Sequence, residues 1–146
     1  MTASCRPLEQ AANVPGRLSL DLKPSARRPV RLPVRVLVCA EDTTVMVVGA
    51  DKEWSAAIAM RTPWPASVRE FAVDSHVRGP GSAGFGLRPL GDSIGSAYRA
   101  LRGTVRLDTG SRFTGTVDVV VSNAKGDTAR ARGRFDAPAA TPGGCP

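Results

Sequence analysis

A serine nucleophile needs a tight turn to expose it and a base to take its proton, and Gly91-Asp-Ser93-Ile-Gly95 has the letter spacing of such a turn. The chain's only histidine, His76, precedes Ser93 on a different expected element, and no strand-turn-helix pattern surrounds the serine. Asp74 and His76 share one face of an expected strand, which fits a solvated surface pair better than an acid–base couple. One histidine and no close cysteine pair argue against a zinc site. Gly79-Pro-Gly-Ser-Ala-Gly84 spells the glycine pattern of a dinucleotide site, but that chemistry needs a helix N-terminus to receive the pyrophosphate. Phe85-Gly-Leu-Arg-Pro89 follows and cannot begin a helix. The sequence therefore predicts no catalytic residue, no cofactor and no metal: the chain is expected not to be an enzyme.

Binding chemistry has more to work with. Trp64 stands between Pro63 and Pro65, a rigid corner whose indole could stack on a sugar, anchor a partner or plug the end of a sandwich. The segment from Gly79 to Gly95 is glycine-rich and aperiodic, and long for a plain connection, so it is expected to be a mobile or functional loop with Phe85 at its centre. Trp64 and Phe85 are the candidate binding-loop residues.

Net charge is +7 with a pI near 10.3, which invites a polyanion such as nucleic acid, an anionic glycan or a membrane surface. Only Lys23, Lys52 and Lys125 are lysines, so seventeen of the 20 basic residues are arginine, and the chain is rich in Ala, Gly and Pro. A GC-biased genome supplies that excess without selection for binding. Aromatics make up 5%, too few for a base-stacking platform, so sequence-specific nucleic-acid recognition is not expected. Weak polyanion contact is.

Three cysteines bear on location. Thr2-Ala-Ser-Cys5 resembles the tail of a bacterial lipobox, with Thr where Leu is common, and Cys5 is the candidate for lipid attachment. Met1 to Ser4 is too short to hold a signal peptide, so this stretch is expected to follow a longer leader. A disulfide between Cys39, at the end of an apolar run, and Cys145 would pin a Pro-Gly tail that has no other reason to be ordered. The alternative is three reduced thiols in a cytoplasmic protein. Export to the periplasm, outer envelope or extracellular space of a bacterium is the favoured reading.

The elements that must position these residues are strands. Fifteen glycines and twelve prolines lie between short apolar runs, the pattern of an all-β domain. Leu18, Leu20 and Leu22 alternate with polar residues; Val30 to Val38 is the longest alternating run, with Pro33 leaving an edge free; Val45 to Val48 is uninterruptedly apolar, as in a strand covered on both faces. Residues 52–61 fit either a short helix capped by Asp51 or, preferred here, a strand with Trp54, Ala56, Ile58 and Met60 inward. Phe71, Val73 and Val77 share a face opposite Glu70, Asp74 and His76.

The clearest signal is a C-terminal three-stranded meander from Arg99 to Asp136, with turns at Asp108–Arg112 and Asn123–Asp127. Pairing Leu107 with Phe113 sets Val105 opposite Gly115, Gly103 opposite Val117 and Leu101 opposite Val119, all inward. The other face then pairs Arg102 with Asp118, Thr104 with Thr116 and Asp108 with Arg112. In the second hairpin Val121 meets Ala129, Val117 meets Gly133, Gly115 meets Phe135 and Asp118 meets Arg132. Inward glycines at 103, 115 and 133 imply strong coiling or a close approach. Outward, Arg102, Arg106, Arg130, Arg132 and Arg134 form a basic stripe that Asp118 only partly neutralises.

The expected architecture is a single antiparallel β-sandwich or strongly coiled β-barrel of seven to eight strands. Residues 1–16 form a leader or tether, 17–137 the β domain and 138–146 a tail pinned by the disulfide. The expected role is a non-catalytic binding or structural domain of a bacterial envelope, with an unknown envelope component or small ligand as partner. The alternatives are a carrier holding a small apolar ligand in the barrel and a weak polyanion binder.

Non-reducing peptide mapping of exported protein is expected to recover a Cys39–Cys145 cross-link, worth ~4 to 5 kcal/mol on the chain-entropy model for so long a loop. Native, oxidised material in which both thiols alkylate would sink the pairing.

Overall fold

The computed structural model describes residues 6–7, 16–24, 28–39, 43–63, 66, 68–74, 79–91, 96–108 and 112–138. All regular structure among them is strand: β1 (Arg6–Pro7), β2 (Gly16–Lys23), β3 (Val30–Cys39), β4 (Thr44–Ala50), β5 (Trp54–Arg61), β6 (Glu70–Asp74), β7 (Ser82–Pro89), β8 (Tyr98–Leu107), β9 (Phe113–Ser122) and β10 (Thr128–Ala137). Neighbours run β3-β2-β10-β9-β8-β6-β7-β5-β4, and β4 pairs back onto β3, closing a nine-strand barrel. Closure resolves the choice between sandwich and barrel. The two-residue β1 adds to β3 at Leu37 and Val38, past the end of β2, so part of the expected tether belongs to the sheet.

Each ring strand therefore has a neighbour on both sides, and closure removes the long open edges of a flat sheet. Pro33 is accommodated at a ladder end, since the β3–β4 pairing starts at Val34. β6 is a wedge: it pairs with Arg102–Arg106 of β8 and briefly, in parallel, with β7, after which β7 meets β8 directly at Gly86–Arg99 and Leu87–Tyr98.

Alternation fills the inside. Leu18, Leu20, Leu22, Val34, Val36, Ile58, Met60, Phe71, Val119 and Phe135 are among the fully buried side chains. Phe113 and Phe135 stack at a tilt with ring centroids 5.6 Å apart. Close approach explains the inward glycines: a Cβ on Gly133 would run into the backbone of Ser19 and Leu20, one on Gly115 into the Phe135 ring, and Gly103 takes φ +142° against Val119. The space that glycine leaves at 115 is thus taken by phenylalanine.

Several expectations need correction. The segment 79–95 is not a plain loop: Ser82–Pro89 is the ninth ring strand, β7, with Ala83, Phe85 and Leu87 buried. Phe85 pairs across from Ile58 in the core and is not a binding-loop residue. Leu107 pairs with Gly115, not Phe113, a slip of two residues that keeps the side chains from Arg102 to Leu107 on their expected faces; Arg102 therefore lies opposite Val120, and Asp118 opposite Thr104. A longer turn sets this shift, with the Asp108 N–H donating to the Thr114 carbonyl at 2.9 Å. Arg112 leaves Asp108 for Asp136, at 2.6 Å. A bulge between Ala100 and Arg102, where β8 changes partner from β7 to β6, turns Leu101 outward, 43% exposed.

Other expectations hold. The β9–β10 register is the one expected, from Val121–Ala129 to Gly115–Phe135. Asn123 closes that hairpin, its Oδ1 accepting the N–H groups of Lys125 and Asp127 at 3.1 and 3.0 Å. Residues 54–61 are a strand, and the Asp51 carboxylate caps a turn instead of a helix, accepting from Glu53 and Trp54 at 2.7 and 2.8 Å.

Gly133→Ala is expected to destabilise the barrel by about 1 to 3 kcal/mol, because its methyl meets backbone that cannot yield. Gly86→Ala, whose Cβ would meet nothing nearer than the Tyr98 carbonyl at 3.9 Å, should stay within about 0.5 kcal/mol of wild type. Urea midpoints measure both, and equal midpoints would refute the close-approach account.

Candidate functional site

The barrel is one layer thick, so every strand offers its second face to the outside, and that outer wall divides into two unlike halves. On β6, β8, β9, β10 and β2 the outward positions carry most of the charge. Arg102, Arg106, Arg130, Arg132 and Arg134 all project there and are exposed, as the alternation required.

They are not a stripe of free cations. The Asp118 carboxylate takes a fork of hydrogen bonds from Arg130, Nε at 2.9 Å and Nη2 at 2.8 Å, with Arg132 Nε at 3.6 Å. The diagonal neighbour Arg130 is oriented to present two parallel donors, whereas the directly opposite Arg132 reaches the carboxylate with one nitrogen at the longer distance. Arg106 reaches Glu70 and Arg134 reaches Asp108, each at 3.5 Å. Asp118 thus has help in neutralising the stripe, and Arg102 alone of the five makes no ion pair among the described residues. The Arg130 hydrogen bonds hold the Asp118 carboxyl below the usual carboxylate range; partial burial opposes this and the charges of Arg130 and Arg132 add to it. The depressed value means that this small stabilisation is present above the ordinary carboxylate pKa of about 3.9 and is lost as pH falls through the lower folded one.

The other half of the wall was not foreseen. From β3 across β4, β5 and β7, one outward row reads Leu37, Met46, Ala59, Gly84, and the next reads Arg35, Val48, Ala57, Gly86, running on to Arg99 of β8. A third holds Ala50, Ser55 and Arg88. Small apolar side chains fill the middle, half-buried by their neighbours, and arginines stand only at the rim. Arg35, Arg88 and Arg99 make no ion pair among the described residues. Arg61 closes the lower corner, its Nη1 donating to Thr44 Oγ1 at 3.4 Å.

A recess of about 630 Å³ opens at the β3–β4–β5 end of this wall, lined by Pro33, Arg35, Val48, Gly49, Ala50 and Ser55, with Ala56 at its back. Gly49 lies beneath it, where β4 approaches β3 so closely that a Cβ would strike the Pro33 carbonyl and Val34. The sequence did carry a sign of the wall. Val45 to Val48 was expected to be covered on both faces, but no second layer lies over Met46 and Val48 among the described residues, so the apolar run marks an outer surface.

Trp64, His76, Ser93, Cys5 and Cys145 lie outside the described residues; Cys39 is the last residue of β3. Among the described residues, no group of three or more His, Cys, Asp or Glu is placed to hold a metal ion.

Because Asp118 occupies two arginines, Asp118→Asn is expected to raise the salt needed to elute the protein from heparin by more than Glu53→Gln, which removes the same charge from the barrel's end. Equal shifts would mean that local pairing does not govern the field of this face.

No family model, curated protein or solved structure matches this chain, so the geometry of its own surface carries the functional argument.

Proposed function

We propose that this chain is a non-catalytic, exported binding domain of a bacterial envelope that engages its partner through the uncharged wall of β3, β4, β5 and β7. One observation carries the reading: two outward rows across β3, β4, β5 and β7 and a third across β4, β5 and β7 hold no carboxylate or lysine, while four of the five stripe arginines on the opposite half are held in ion pairs. A solvated barrel wall has no need of such a band, since outward positions of an antiparallel sheet are ordinarily polar. Apolar surface that is contiguous and rimmed by charge is the usual mark of a contact site. Its arginines, lacking carboxylates of their own, would meet a partner that supplies them.

The arginine face supports a different role. Its internal pairs keep the barrel soluble and hold register across β8, β9 and β10, which is the work of a solvated surface. Weak attraction to polyanions remains through net charge alone.

Ala57→Asp combined with Ala59→Asp places two carboxylates in the middle of the wall, both pointing outward and away from the core. In the full chain, expressed for export, this variant is expected to keep the wild-type melting temperature but to lose retention in the envelope fraction. An Arg130→Ser, Arg134→Ser control should remain bound. Retention of the wall variant, or release of the control instead, would overturn the proposal.

A further inference from the structure

The recess at the β3–β4–β5 end of the wall has the make-up of a small-ligand site, and its composition narrows the ligand. Concave sites for small molecules are mostly apolar, hold roughly 300 to 1,000 Å³ and carry a few placed polar groups. Here Pro33, Val48, Gly49 and Ala50 supply the apolar lining in a recess of about 630 Å³, and Arg35 and Ser55 supply the polar groups. Two features of the chain build it. Pro33 brings no N–H to the β3–β4 ladder, which starts one residue later, and Gly49 lets the two backbones close together beneath the recess floor.

Arg35 gives the site its sign. It is exposed beside the recess, and no carboxylate pairs with it among the described residues. A guanidinium presents a planar fork of donors that matches a carboxylate at both oxygens. We propose that the recess seats the chain of a free, single-chain fatty carboxylate, with Arg35 holding its head; this rests on the reading of the uncharged wall as the contact surface. From the recess the chain continues over Ala57 and Ala59, where no charged side chain interrupts the wall.

The same surface suits a bilayer or a second copy less well. Surface insertion into lipid relies on Trp, Phe and Leu that reach the acyl region, and the outward residues of β4 and β5 between the Thr44–Arg61 corner and the recess are Met, Val, Ala and Ser, mostly half-buried. A second copy docked face to face would bring another Arg35, Arg88 and Arg99 with it, and like charges oppose such a contact.

Isothermal titration of the full chain with sodium dodecanoate, kept below its micelle concentration, tests this. One equivalent is expected to bind. Arg35→Gln should weaken binding by about tenfold, and Ala50→Trp, which fills the recess from its rim, should abolish it. Dodecyltrimethylammonium, with the same chain and a cationic head, should bind at least about tenfold more weakly. Four outcomes overturn the proposal: no binding, equal affinity for the cation, binding only to anionic phosphatidylglycerol vesicles, or dimerisation that Ala50→Trp removes. If dodecanoate fails while Ala57→Asp with Ala59→Asp still releases the chain from the envelope, the ligand assignment falls and the wall reading stands. Failure of both removes the wall as a contact surface.

Discussion

The β3–β4 ladder, from Val34–Gly49 to Cys39–Thr44, is the contact on which the rest of the barrel depends. Without it the sheet would end in two long strands with unpaired N–H and C=O groups, open to pairing with other chains. With it the ring shuts, and two obligations follow at once. The interior of nine strands must be filled, and the exterior of a single layer must face whatever surrounds it.

Filling is achieved by pairing large residues with glycines. An eight-stranded barrel is just wide enough for side chains to fill, so a nine-stranded one needs either bulkier contents or walls drawn inward. Both are present. Phe71 and Phe135 are fully buried, and Gly115 and Gly133 let neighbouring chain approach where any Cβ would collide. Gly103 and the bulge at Leu101 turn β8 as its partner changes from β7 to β6, so the strand that must bend most carries both devices for bending.

How far the sequence was legible follows from the same physics. The β9–β10 register was readable residue by residue because both faces of that hairpin constrain it: Phe135 needs Gly115 inside and Arg132 needs Asp118 outside. β8–β9 was off by two because a two-residue slip leaves the inside and outside sets intact, and only the length of the turn, which alternation does not encode, separates the registers. β7 was hidden by its own glycines. Ala83, Phe85 and Leu87 alternate correctly, but Gly84 and Gly86 between them contribute no polar signal, so strand looked like loop. The wall was hidden for the same reason: Ala and Gly facing outward look like neither core nor solvated surface. Ion pairing across strands could be read only as a list of eligible charges, since the diagonal Arg130–Asp118 fork depends on guanidinium orientation and not on register alone.

Closure also restricts how the barrel can bind anything. Partners commonly add a strand to an exposed sheet edge, where main-chain hydrogen bonds give the affinity, and each strand of this ring already has two neighbours. The proposed recognition therefore draws on side chains of the outer wall and not on an added strand. The charged half is poorly suited to it, because a partner would first have to break pairs such as Arg130–Asp118 and leave one member without its counter-charge. The uncharged half imposes no such cost. Alanines and glycines expose little apolar area per residue, which keeps the wall tolerable in water, yet they let a slender or flat apolar group lie close to the backbone. At roughly 25 cal/mol per Å² that contact is weak for each residue and grows only with length, so an extended apolar group laid across several strands gains more from this wall than a compact one.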